Sequence, residues 1–286
     1  MLVHIPVLLD KVLLTLGEVE GRTIVDATFG AGGYSRAFLE RGARVIAFDR
    51  DPNVAKFADE FLQKYPGQFQ FINAPFSEIA AHATGATDIV FDFGVSSMQI
   101  DSPTRGFSWR FDSPLDMRMD PTRGPTAEDI IDRMTADELK DLLHKYTNVN
   151  KAGQMARAIK GSRPRTTHQL RAVIYNPRDV APIFQALRIA VNDEIGEIER
   201  AVASVPAILP AGGKCVAITF HSGEDKIVKD AFREWTRTPG DPSMPAPGPA
   251  APFRLLESFK PSDAEIKSNP RSRSSHLRAV EKISII

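Results

Sequence analysis

Cysteine is almost missing from this sequence: Cys215 is the only one in 286 residues. A single thiol excludes an internal disulfide framework and any zinc site built from several cysteines. No apolar run approaches the roughly 20 residues needed to cross a bilayer, and the N-terminus lacks a basic stretch followed by an apolar one. A soluble protein of a reducing compartment is therefore expected: the cytoplasm, or the mitochondrial matrix for an organellar chain. An excess of one charge is absent too, since 36 basic residues face 36 acidic ones. A neutral total gives no hint of a nucleic-acid partner. What is present is ordinary for a globular chain, with 25% charged and 42% hydrophobic residues, which excludes wholesale disorder. At roughly 100–200 residues per domain, the length predicts one large domain or two small ones.

The neutral sum hides an uneven distribution. Between Lys151 and Arg178 lie Lys151, Arg157, Lys160, Arg163, Arg165, Arg171 and Arg178, with no acidic residue. Between Phe253 and Lys282 seven basic residues accompany four acidic ones, and Arg271, Arg273 and Arg278 are grouped. Such runs are either solvated helix faces or phosphate-binding patches.

Hydrophobic patterning predicts the architecture. Thr23–Thr28, Arg44–Phe48, Phe69–Ile72 and Asp88–Phe93 read as buried strands, with helices Ser35–Glu40, Pro52–Lys64 and Ser77–Ala83 between them. That alternation specifies a parallel sheet with right-handed crossovers. Gly94–Gly124 is loop-like, and helical patterns then dominate to about Ala203. One starts at the capping box Thr135-Ala-Asp-Glu138, and another runs from Ile183 to Ile195. Strand character returns at Cys215–Phe220, followed by a helix from Glu224 and a β-like stretch over Leu277–Ile285. Pro239–Pro252, rich in Pro, Ala and Gly, reads as an exposed loop. The expectation is an α/β domain, 1–102 with 202–286, interrupted by a helical insert, 103–201.

Two features point to a nucleoside ligand. Asp26-Ala-Thr-Phe-Gly30-Ala-Gly32-Gly33-Tyr34-Ser35 follows the first strand and opens the first helix of that alternation, so Gly30, Gly32 and Gly33 allow close approach to backbone amides. Asp49 ends the second strand about twenty positions later, where an acidic side chain can accept ribose hydroxyls. The glycine spacing is not the dinucleotide fingerprint, and the Gly-Lys-Ser/Thr of a phosphate loop is absent. The loop instead looks like that of S-adenosylmethionine-dependent methyltransferases. Asp92 lies at the carboxyl end of the fourth strand, where open α/β sheets carry reactive groups, although an Asp there also serves as a helix cap.

Several segments, in one order, then resemble a single family. They are His4-Ile-Pro-Val-Leu-Leu9, the 26–35 loop, Phe48-Asp-Arg-Asp-Pro52, Asp92-Phe-Gly-Val-Ser-Ser97-Met-Gln99 and Arg105-Gly-Phe-Ser108. Further on come Pro114-Leu-Asp-Met-Arg-Met-Asp-Pro121, Phe184-Gln-Ala-Leu-Arg188, Phe220-His-Ser222 and Asn269-Pro-Arg-Ser-Arg-Ser274. The chain resembles the ribosomal RNA small-subunit methyltransferase H, or MraW-like, family, which methylates N4 of a cytidine in the decoding region. The resemblance implies a Rossmann-like class I methyltransferase fold with S-adenosyl-L-methionine as cofactor. It places donor contacts on Gly32, Gly33, Tyr34, Asp49, Phe76, Asp92 and Gln99, with Gly30 in the same turn. Phe76 either covers the adenine or packs in the core. Asp92, Ser96 and Ser97 are the candidate catalytic residues, as acceptors for the amino group, with ordinary polar-loop serines as the alternative. In this setting Lys151, Arg157, Arg163, Arg165, Arg271 and Arg273 become candidate contacts to rRNA phosphates within a ribosomal particle. Arg105, Arg118 and Arg123 either order the loop over the donor or pair with nearby Asp residues. His221 reads as structural or catalytic, beside a capping pattern in Ser222-Gly-Glu-Asp225.

The chain departs from the family pattern at Tyr34, usually His, at Thr147-Asn-Val149, usually Gly-Glu-Glu, and at Gly223, usually Leu. The insert is also shortened between Gln169 and Phe184, and Arg178–Ile183 replaces a family motif there. Most departures fall in the insert. They keep open a methyltransferase-fold assembly factor with little turnover, acting on a ribosomal particle, a protein partner or as a homodimer. An amino-methyltransferase acting on DNA is disfavoured, because Asp92-Phe-Gly-Val lacks the signature of those enzymes.

Overall fold

The computed structural model describes residues 6–237 and 251–283. His4 and Ile5, most of the expected 239–252 loop and the end of the expected terminal stretch lie outside the described residues. The chain first lays down α1 (Leu9–Leu16), β1 (Thr23–Asp26), α2 (Gly33–Leu39) and β2 (Arg44–Phe48). Next come α3 (Ala55–Lys64), β3 (Phe69–Ile72), α4 (Ile79–His82) and β4 (Asp88–Asp92). The central strands are apolar on both faces, with Ile24, Val25, Ile89, Val90 and Phe91 all fully buried, as a parallel sheet covered by helices requires. β1 stops two residues short of the predicted end because the Asp26 carboxylate accepts the Thr28 N–H and turns the chain. The predicted helix from Pro52 begins as a single 3-10 turn, Pro52–Val54, capped by Asp51. Pattern alone did not predict α1.

The chain then builds α5 (Ser97–Asp101), α6 (Ala127–Arg133), α7 (Ala136–Tyr146), α8 (Ala152–Ser162), α9 (Thr167–Val173) and α10 (Val180–Asn192). The Thr135 capping box is present: its hydroxyl accepts the Glu138 N–H, and the Glu138 carboxylate accepts the Thr135 N–H. Leu139, Leu143, Met155, Ile159, Leu170, Ile183 and Leu187 form the core of this unit. The helix predicted to reach Ile195 ends at Asn192, because Asp193 takes a left-handed φ of 48°. Asn192 also fastens the irregular 102–126 segment, accepting the Met119 N–H and donating to the Met117 carbonyl.

The last stretch comprises α11 (Glu194–Ile208), β5 (Lys214–Thr219), α12 (Ser222–Trp235), β6 (Phe253–Leu255), α13 (Asp263–Ser268) and β7 (His276–Lys282). Among the described residues, the seven strands order as β3-β2-β1-β4-β5-β7-β6, with β1 to β5 parallel and β7 antiparallel to both neighbours. Strand order reverses between β1 and β4, so this is a doubly wound, Rossmann-like sheet whose switch point opens beside the ends of those two strands. Neither β6 nor α13 was predicted. The described residues up to Gly94 and from Glu197 form one compact unit, and Val95–Gly196 forms the other. The division after 196, against the expected 201, follows from α11: Glu194 pairs with Arg188, whereas Ile198, Ala201, Val202 and Val205 join the sheet core.

Gly106 makes a sharp test of the helical unit. It sits at φ +76°, and an added Cβ would lie 2.6 Å from the Pro114 carbonyl oxygen and 2.9 Å from the Asp116 nitrogen. Both are backbone atoms that cannot swing aside. Gly106→Ala is expected to cost about 2–3 kcal/mol in urea unfolding, from strain plus overpacking.

Candidate functional site

The turn from β1 into α2 is built by one buried carboxylate. Asp26, fully buried, accepts the Ser35 hydroxyl at 2.6 Å, the Ser35 N–H at 3.1 Å and the Thr28 N–H at 3.3 Å. Burial pushes its pKa up to about 6 against the lowering effect of those bonds. The clamp folds 27–34 into a loop in which Gly30 and Gly32 take positive φ. The glycines divide by role. A Cβ on Gly32 would fall 2.5–2.8 Å from the rings of Phe61 and Phe29, and one on Gly33 would strike Pro6. Only Gly30 of the three has no heavy atom nearer than 4.0 Å at that position.

Asp49, at the end of β2, ties itself to this loop. One oxygen accepts the Gly30 N–H at 2.8 Å and the other the Asp51 N–H at 2.9 Å. Burial raises its pKa to about 6. Phe76, half-buried, sits edge-on to Phe93 at 5.5 Å and to Phe91 at 6.1 Å, packed against the sheet core.

Asp92 closes β4, its N–H donating to the Thr28 hydroxyl at 2.9 Å. Its Oδ1 is buried and has no hydrogen-bond partner. Burial, then the charges of Asp26 and Glu224, raise its pKa to about 8, against a lowering contact with the Tyr34 hydroxyl. Tyr34 is itself buried and donates to the Val7 carbonyl. His221 is the N-cap of α12: its Nδ1 accepts the N–H groups of Gly223 and Glu224. The cap thus falls one residue before the predicted Ser222, and Glu224 completes the box.

The other predicted residues belong to the helical unit or the surface. Ser96 and Gln99 form the capping box of α5, the Ser96 hydroxyl accepting the Gln99 N–H and Gln99 accepting the Ser96 N–H. Ser97 is the first residue of that helix. Lys151, Arg157, Arg163, Arg271 and Arg273 are exposed. Arg165 is also exposed, but it pairs with Glu128 and Asp132, both at 2.6 Å. Arg278 forms a two-point bond to Asp225 at 2.8 and 3.0 Å. Arg118 and Arg123 pair with Asp116 and Asp120, while Arg105 donates to the carbonyls of Arg118 and Met119. Within the helical unit, an open pocket of about 260 Å³ is lined by Phe107, Ser108, Trp109, Phe184, Gln185 and Arg188 among others. Trp109 meets Phe184 edge-on at 5.2 Å there. Two sequence motifs, Arg105–Ser108 and Phe184–Arg188, converge on that pocket, which neither reveals alone. Among the described residues, no group of three His, Cys, Asp or Glu side chains is placed to hold a metal ion, and no helix is long and apolar enough to cross a membrane.

Comparison with known proteins gives a consistent picture. The MraW methylase family model matches residues 1–283. The ribosomal RNA small subunit methyltransferase H of Rhizobium etli is 42% identical over 295 residues, covering 96% of this chain and 86% of that protein. The protein of the same name from Zymomonas mobilis is 42% identical, covering 97% and 90%. That from Wolbachia pipientis is 39% identical, covering 98% and 99%.

The raised pKa of Asp92 has a stability consequence with a definite sign. A carboxyl that is more basic folded than unfolded stabilises the protein below about pH 4, and that contribution is lost as pH rises to about 8. Asp92→Asn should therefore raise the thermal midpoint at pH 8 by several degrees and leave it nearly unchanged at pH 4. Equal shifts at both pH values would show that the site does not hold Asp92 in its neutral form.

Proposed function

The chain belongs to the MraW methylase family, so it is a methyltransferase with S-adenosylmethionine as donor, and on that premise we propose that it methylates N4 of a cytidine in the decoding region of small-subunit ribosomal RNA. The observation that supports this reading is the match of 96–97% of the chain to relatives named ribosomal RNA small subunit methyltransferase H.

S-adenosylmethionine supplies a methyl group on a cationic sulfur, with ribose hydroxyls and an amino-acid tail as handles. The residues around the switch point fit those handles. Each oxygen of Asp49 spends one lone pair on a backbone N–H, which leaves a second to accept a ribose hydroxyl. Gly30 supplies open space beside it. Asp92 offers a buried oxygen with no partner, a costly arrangement of about 1–3 kcal/mol that an incoming hydrogen-bond donor relieves. Tyr34 and Phe76 are assigned as the walls of the site, with Gln99 as a further donor contact.

The amino nitrogen of cytosine shares its lone pair with the ring and is a weak nucleophile. The protein's task is alignment, and withdrawal of one amino hydrogen as the nitrogen is methylated. Asp92 as carboxylate is the acceptor for that hydrogen, with Ser96 and Ser97 as further acceptors. The base must also leave its stack, at a cost of a few kcal/mol. Exposed Lys151, Arg157, Arg163, Arg271 and Arg273 are assigned to phosphates, which set position on the RNA rather than base choice. Arg165, neutralised by two carboxylates, is the weakest member of that set.

Two measurements test the proposal. Incubated with immature small ribosomal subunits and labelled donor, the protein should place label on N4 of one cytidine. Tight particle binding without transfer would instead support the assembly-factor reading. Replacing Arg157 and Arg163 together by Gln should weaken particle binding and flatten its salt dependence by up to roughly two units of log–log slope, one for each phosphate contact. An unchanged slope would remove both residues from the interface.

A further inference from the structure

The carboxyl ends of β4 and β5 hold a second acidic group that the donor contacts above do not use. Glu224 is fully buried in the first turn of α12. Its Oε2 accepts the N–H groups of Phe220, at 2.6 Å, and His221, at 3.2 Å. Its Oε1 is buried and has no hydrogen-bond partner, the same condition as Asp92 Oδ1. A Cβ on Gly94, two residues after Asp92, would lie 3.7 Å from that oxygen. The two orphaned carboxyl groups thus flank one short stretch of chain.

His221 decides how they divide a charge. Its Nδ1 accepts two backbone N–H groups, so in the neutral ring the hydrogen lies on Nε2. Nε2 stands 3.0 Å from Glu224 Oε1, although not aligned for a hydrogen bond. Glu224 therefore has two backbone donors on one oxygen and a ring nitrogen beside the other, whereas Asp92 Oδ1 has no partner. The groups acting on Asp92 are Asp26 from β1, Glu224 from α12 and Tyr34 from α2, none of them cationic. Two like charges in so dry a site repel, and a neutral member relieves them.

We propose that Glu224, oriented by His221, is a positioning residue for Asp92: in the free enzyme the pair carries one proton, held on Asp92, and releases it to solvent when the cationic methyl donor binds. This rests on the methyltransferase reading. The balance is simple. One O–H bond on Asp92 breaks, the proton passes to buffer, and the positive donor takes its place opposite two carboxylates, which leaves Asp92 able to accept a hydrogen from the substrate amino group. Glu224 thus couples donor binding to activation of the acceptor, so that Asp92 is charged only when the methyl group is present.

Calorimetric titration with S-adenosylmethionine, in buffers of differing ionisation enthalpy from pH 6 to 9, counts the protons exchanged. The wild type should release close to one proton near pH 7, declining toward none at pH 9. Asp92→Asn should abolish the release. Glu224→Gln should move its midpoint down by about one pH unit or more, since a like charge has been removed. Glu224 also ties down the Phe220 turn, so difference infrared spectroscopy of the wild type provides a readout independent of any variant. There the carbonyl band of a protonated carboxyl should disappear on donor binding. Donor binding with no proton released, or an unmoved midpoint in a folded Glu224→Gln protein, overturns the pairing while sparing the methyltransferase reading. Absence of any donor binding overturns both.

Discussion

The arrangement depends on a carboxylate that never reaches solvent. Asp26 lies at the last position of β1, where the ladder ends and the backbone amides of the next turn need partners. By taking the Ser35 hydroxyl and N–H together with the Thr28 N–H, it converts nine residues of glycine-rich chain into one conformation. Thr28 then accepts the Asp92 N–H, and Gly30 donates to Asp49, so the ends of β1, β2 and β4 are fastened to the same turn. Loss of that carboxylate would release all three at once. Its burial makes ionisation costly, and the hydrogen bonds offset part of that cost; an apolar residue there would bury well but leave the amides unpaired.

The same logic explains why the site is so acidic. Asp26, Asp49, Asp92 and Glu224 all lie at strand or helix ends near the switch point, and burial raises the first three. Two cations of the sheet unit are engaged with other carboxylates: Arg22 pairs with Asp88, and Arg278 with Asp225. A region this rich in buried carboxylates is one whose mutual repulsion a bound cation relieves. A positively charged ligand suits such a region, and S-adenosylmethionine, the methyl donor of the family, carries that charge. Neutral net charge conceals this polarity as effectively as it conceals the basic segments.

Much of this was legible from the residues, for physical reasons that differ by element. Buried parallel strands announce themselves because both faces must be apolar, and the order of strands and helices then restricts the topology. The place of Asp49 beside the glycine loop was legible because its spacing from the glycines follows from the length of a strand–helix–strand unit. The meaning of Gly32 and Gly33 was not, since only the folded chain brings Phe61 and Pro6 against them. Ser96 and Gln99 read as catalytic and donor contacts, yet each also caps α5, a local role that their spacing of three already encodes. The bonding of Glu224 to the turn before it is not legible from the residues, because Ser222 is the more usual cap and the ring nitrogen of His221 takes that place instead. Trp109 and Phe184 are 75 positions apart, and nothing in either motif shows that they share a pocket.

The departures from the family pattern also change meaning once placed. Thr147-Asn-Val149 replaces a usual acidic pair, which as a string reads as a lost surface function. In the fold, Thr147 caps the end of α7 and its hydroxyl accepts the Val149 N–H, while Val149 enters the helical core. The substitution therefore exchanges charge for packing, and by removing negative charge from a unit proposed to meet phosphate it favours RNA rather than opposing it. Tyr34 behaves similarly. Its ring fills the core beside Phe38 and its hydroxyl reaches the Val7 carbonyl, so it ties Val7 to the glycine-rich 27–34 turn and remains in contact with Asp92. Neither change removes a group that the proposed chemistry requires. The proposed acceptor and ribose ligand, Asp92 and Asp49, and the loop clamp Asp26 all lie on the sheet unit, which holds fewer of the departures than the insert.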